Sequence, residues 1–94
     1  MPQTLLQPFH IAANSAGDVI KTGRWQLGEV TINTKGATSN ILTLYDGLTT
    51  GGTVIGIIDT TVAVGTFLYD VRFETGLFYV LACGTAADLT IGYC

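Results

Sequence analysis

Charge is scarce in this chain. Asp, Glu, Lys and Arg make up 12% of its 94 residues, about half of the roughly 25% usual for soluble domains. The basic residues are only Lys21, Arg24, Lys35 and Arg72. Scattered without a run, they give neither the electrostatic footprint of a nucleic-acid binder nor a polybasic patch for a membrane surface. Long hydrophobic runs are missing too. Asp59, Asp70 and Asp88 interrupt every stretch that approaches the roughly 18 apolar residues of a spanning helix. The opening residues, Met1-Pro2-Gln3-Thr4-Leu5-Leu6, place no basic region ahead of an apolar one. A secretory leader is therefore not expected, and synthesis in a cytoplasm is.

Histidine occurs once, and the residues that chemistry needs do not converge. Nucleophilic catalysis requires a base beside Ser, Cys or Thr. His10 lies between Phe9 and Ile11, no G-x-S-x-G is present, and Ser15 and Ser39 fall in turn-like stretches. One histidine and two distant cysteines do not compose a zinc site. Asp18, Asp46, Asp59, Asp70 and Asp88 lack the spacing of a calcium loop, and no pair of acids is placed for glycoside chemistry. Gly51-Gly52 with Gly56 fits neither phosphate-binding glycine pattern. The chain is read as non-enzymatic, with no catalytic residue, metal or cofactor.

Apolar residues, by contrast, reach 48% and aromatics 10%. That balance excludes a disordered chain. Helical periodicity is absent, and short alternating segments recur every 8–12 residues or so between Gly, Asn, Asp and Thr clusters. Strands are expected near 4–11, 17–22, 24–34, 39–46, 53–59, 65–74, 77–83 and 88–94. The fold class is a single all-β domain, an antiparallel β-sandwich or jelly roll of about eight strands. Residues 1–16 read as an N-terminal arm or edge segment, because Pro2 and Pro8 bar a central strand; residues 17–94 form the sandwich. Trp25 and Leu27 share one parity while Val30 and Ile32 share the other, which predicts a β-bulge at Gly28-Glu29.

The last three segments can be aligned as a meander. With Thr75-Gly76 as a two-residue link, Phe73 faces Phe78, Val71 faces Val80, and Tyr69 faces Ala82. Leu89, Ile91 and Tyr93 then extend one apolar face. On the opposite face lie Leu68, Leu77, Tyr79 and Leu81, so the middle strand is apolar on both sides. A solvated antiparallel sheet alternates instead. Either the N-terminal segment or a loop covers this second face, or another subunit does. Leu68, Leu77, Tyr79 and Leu81 are the candidate contact residues, with Phe9 as a second candidate surface. In the same register Cys83 and Cys94 stand six residues apart along the strand direction, roughly 20 Å. That is too far for a disulfide, and two free thiols fit a reducing compartment.

Leu44-Tyr45-Asp46-Gly47, Gly52-Thr53-Val54-Ile55 and Ile58-Asp59-Thr60-Thr61 carry a resemblance, joined by Phe73-Glu74-Thr75-Gly76-Leu77 and the stretch Gly84 to Thr90. Over residues 20–94 these resemble small β-sandwich structural proteins of tailed bacteriophages, of the capsid-cement (decoration) and fibre types. The resemblance implies a non-enzymatic virion component on the capsid surface. It would be a homotrimer that binds the major capsid protein, or another virion protein, at capsomer junctions. The alternative is a fibre-type module that recognises surface glycans through Trp25, Tyr45 and Tyr79.

Overall fold

Short β-branched and aromatic segments between turn residues can satisfy their backbone amides and carbonyls only by pairing with other strands. The computed structural model, which describes residues 6–94, shows how they pair. Eight strands follow in order: β1 (Gln7–Ile11), β2 (Ser15–Thr22), β3 (Trp25–Thr34), β4 (Ile41–Asp46), β5 (Thr53–Asp59), β6 (Gly65–Phe73), β7 (Gly76–Ala82) and β8 (Asp88–Tyr93). They form two four-stranded antiparallel sheets, ordered β1-β8-β3-β6 and β2-β7-β4-β5. Such interleaving of two Greek keys is a jelly roll. The chain is thus an all-β antiparallel sandwich of eight strands in one domain.

At the N-terminus, β1 is an edge strand paired to β8 alone. The boundary drawn after residue 16 falls inside β2, and the part of the arm at residues 1–5 lies outside the described residues. The bulge expected at Gly28-Glu29 is present. Leu27 pairs with Tyr93 and Glu29 with Gly92, leaving Gly28 as the extra residue against β8. That extra residue resets the parity of β3, so Leu27, Val30 and Ile32 all reach the core. There they meet Leu42 and Leu44 of β4, Leu77 and Leu81 of β7, and Leu89 and Ile91 of β8, all fully buried. Each such side chain contributes about 1.5–3 kcal/mol through removal from water.

The C-terminal meander does not form. β6 pairs with β3, β7 with β2 and β4, and β8 with β1 and β3. Between β6 and β7 the chain crosses from one sheet to the other at Glu74-Thr75. The Asp46 carboxylate fixes that crossing by accepting the amides of Glu74 and Thr75 at 2.9–3.0 Å. A two-residue link reads the same whether it closes a hairpin or steps between sheets, so the local pattern misleads here.

The consequence for β7 is an inversion. Leu77, Tyr79 and Leu81, expected to face a partner, are buried inside the sandwich. Their immediate neighbours Phe78, Val80 and Ala82 face outward, since Phe78 stands opposite Val19 and Tyr45. β7 is apolar on both sides, as expected, and the second sheet covers the face that had been assigned to a subunit contact. Phe9 is also accounted for within the chain: from β1 its ring meets Tyr79 across the core, centroids 5.9 Å apart. Of the five candidate contact residues, Phe9 is partly buried and Leu68 alone is largely open to solvent, 80% exposed.

Candidate interaction surface

The outward face of the β2-β7-β4-β5 sheet is apolar in rows. Val19, Phe78, Tyr45 and Val54 are successive cross-strand partners and so share one face. Val80, Thr43 and Ile57 make the next row. Phe78 is buried in its row because Tyr45 meets it edge-on, with centroids 6.0 Å apart, and because Gly17 of β2 has no side chain where the ring lies. The rows end on β5, the edge strand, where Val54 is exposed and Ile57 is 66% exposed.

From there the apolar surface turns the corner of the molecule. The connection after β5 carries Val62, 71% exposed, and Val64. β6, the edge strand of the other sheet, adds Phe67. Ile57, Ile58, Asp59, Val62, Phe67 and Tyr69 line a shallow groove of about 260 Å³ between the two edges. Tyr69 closes its floor by lying against Gly56, and burial pushes the Tyr69 hydroxyl above its ordinary pKa.

Electrostatics leave this edge almost bare. Residues 53–69 contain one charged side chain, Asp59. It accepts both the Thr61 hydroxyl, at 2.6 Å, and the Thr61 amide, at 3.0 Å. Those bonds hold the Asp59 carboxyl below its ordinary pKa and turn it toward its own loop. Edge strands normally carry Lys, Pro or inward charges that block pairing with another chain. Here β5 has none of the three. On β6 a bulge interrupts the edge: Tyr69 and Asp70 together oppose Gly28, with Asp70 in the left-handed region at φ 53°. Contiguous exposed apolar surface of this kind marks an interaction site.

Other candidate groups are dispersed. Tyr79 is in the core, Tyr45 packs on Phe78, and Trp25 lies at the start of β3 with its ring face under the Lys21 ammonium, 4.1 Å from the centroid. No common aromatic platform exists, and the glycan-stacking alternative is corrected on that geometry. His10 spends its ring on Asp88 at 2.9 Å. Hydrogen bonds from Asn33 first and His10 second hold the Asp88 carboxyl below its ordinary pKa. Among the described residues no cluster of three His, Cys, Asp or Glu side chains is placed to hold a metal ion. Cys83 and Cys94 are both free thiols.

The fold has a solved counterpart. The chain is similar to the crystal structure of the Drosophila NLP core, a structure described in terms of pentamer formation and histone binding. The TM-score is 0.58 with 14% identity, over 95% of each chain. At that identity the likeness carries the fold alone. No family model and no curated protein matches the chain. These findings overturn the capsid-cement expectation. The similar solved fold belongs to a protein described for histone binding, and neither of the other comparisons ties the chain to a virion.

Proposed function

We propose that this chain is a non-enzymatic binding module that self-associates through its β5–β6 edge. One observation carries the proposal: Val54, Ile57, Val62, Val64 and Phe67 are all exposed along β5, the connection after it and the start of β6, and in that stretch, residues 53–69, Asp59 is the single charged side chain. Leaving these side chains in water forgoes the free energy of burying them, and a second copy recovers it. A protein of similar fold, the NLP core, is described as forming pentamers, so a closed ring of copies is compatible with this architecture.

Histone binding is not carried over with the fold. Asp46 caps backbone amides, Asp59 is bound to Thr61, Asp88 to His10 and Asn33, and Glu74 to Arg24. These four of the seven acids are engaged within the chain, and the likeness to the NLP core at 14% identity carries the fold alone. The non-enzymatic part rests on His10, whose Asp88 pair sits away from the apolar groove.

Light scattering on the eluting protein tests the proposal. The wild type should elute as an oligomer. Ile57→Asp and Val62→Asp should shift it to monomer while leaving β-type circular dichroism intact. A monomeric wild type at high concentration, or variants that keep the wild-type mass, would overturn it.

A further inference from the structure

Three of the four basic residues of this acidic chain collect at one end of the sandwich. Arg24 precedes β3, Arg72 stands directly across from Gln26 on β6, and Lys21 reaches over Trp25. Arg24, Trp25, Gln26, Arg72 and Cys94 line a shallow cleft of about 290 Å³. The carboxylate of Glu74 already spans the two guanidiniums. One oxygen is 3.1 Å from Arg24 Nε and the other 4.0 Å from Arg72 Nη1. All three side chains are more than half exposed, and exposed pairs of this kind are weak. A guanidinium offers five donors in a fork suited to bidentate carboxylates. Glu74 uses the Nε of one and a long contact to the other.

The cleft also continues into a second one. Gln26 and Cys94 are shared with a groove of about 370 Å³ that runs past Gly28 to Leu6 and Leu68. The combined trough is basic at one end; further along, Leu6 and Leu68 stand among Glu29 and Asp70, the latter accepting from Gln26, and these two acids would repel a second one. A lone phosphate would use only the basic end. We propose that this trough binds an extended segment of a partner protein, with a carboxylate between Arg24 and Arg72 and an apolar residue over Leu68. Glu74 is the internal occupant that the incoming carboxylate displaces. Leu68 follows Phe67 on β6 and faces the other side of that strand, so the trough borders the β5–β6 edge without using its apolar groove.

Trp25 is the sole tryptophan and borders the cleft, so its fluorescence reads occupancy. An end-blocked Glu-Leu-Leu peptide should give a saturable change, whereas Gln-Leu-Leu and inorganic phosphate should not. Arg72→Gln should weaken the acidic peptide about tenfold. Glu74→Gln should strengthen it several-fold, and Lys35→Gln should leave it unchanged. The edge variant Ile57→Asp should bind it as the wild type does, which separates this proposal from self-association. Equal binding of Gln-Leu-Leu, saturation by phosphate alone, or an Arg72→Gln protein with undiminished affinity would each overturn it. So would a Glu74→Gln protein that binds no more tightly.

Discussion

The Tyr69 ring lies against the backbone of Gly56 and so bridges β6 of one sheet to β5 of the other at the open side of the sandwich. A β-carbon on Gly56 would come within 2.8 Å of Tyr69 Cζ, closer than side chains tolerate. Gly56→Ala must therefore push the half-buried ring outward, at a cost of about 1–3 kcal/mol in urea unfolding. In a Tyr69→Ala background the same substitution should cost almost nothing, because the clash is gone. Strict additivity of the two changes would show that Gly56 is not there to admit the ring.

A buried amide ties the opposite end together. Asn40 Nδ2 donates to Asn14 Oδ1 and to the Cys83 carbonyl at 2.8–2.9 Å, while Asn40 Oδ1 accepts the Thr60 hydroxyl and the Ala87 amide. Four connections between strands thus meet on one fully buried side chain. Asn40→Ala strands the buried Ala87 amide and removes the link to Thr60 and the Cys83 carbonyl, and should cost about 2–4 kcal/mol. Asn14→Ala removes one solvent-accessible partner and should cost about 0.5–1.5 kcal/mol. Urea midpoints of the two variants measure the ratio, and equal losses would contradict the hub.

Strand positions were legible in the chain because Gly, Asn, Asp and Thr mark the breaks, and the Gly28 bulge was legible because parity changes there. Sheet membership was not. Alternation says which residues share a face; it does not say which strand lies next door. In β7 both parities are apolar, Leu77-Tyr79-Leu81 and Phe78-Val80-Ala82, so nothing within the strand selects the inward set. The residue that decides the crossing before it, Asp46, lies 28 residues back from Glu74. Val54, Ile55, Ile57 and Ile58 are apolar on both parities, a pattern that predicts a central strand, whereas β5 is an edge strand. Only the topology reveals that β5 and β6 are edges, and Leu68 was found there by its exposure rather than by a correct register.

The Asp46 carboxylate gives the crossing a pH dependence. Burial alone would raise its pKa, but the amides of Thr75, Glu74 and Gly76 outweigh that and hold it below its ordinary value. A carboxyl lowered on folding adds stability above its unfolded pKa, and the gain is lost as the pH falls through the folded value. Asp46→Asn keeps an acceptor oxygen without the charge. It should be less stable than wild type at neutral pH by about 0.5–1 kcal/mol once solvent screening is allowed for. The gap should close on acidification below about pH 4. Thermal midpoints at pH 7 and pH 3 compare the two, and a gap independent of pH would rule out the charge as its source.

The inversion of β7 can be tested with neighbouring residues. Leu81 is fully buried and Val80, one residue earlier, points outward from the sheet in partial contact with solvent. A carboxylate at Leu81 enters the core with no partner, so Leu81→Asp should unfold the domain, a loss above about 4 kcal/mol. Val80→Asp leaves its charge at the surface and should cost about 1–2 kcal/mol. Far-ultraviolet circular dichroism with urea titration separates them, since Val80→Asp should still melt cooperatively and Leu81→Asp should have no transition left. The reverse ranking would place Val80 inward and Leu81 outward, which would contradict this orientation of β7.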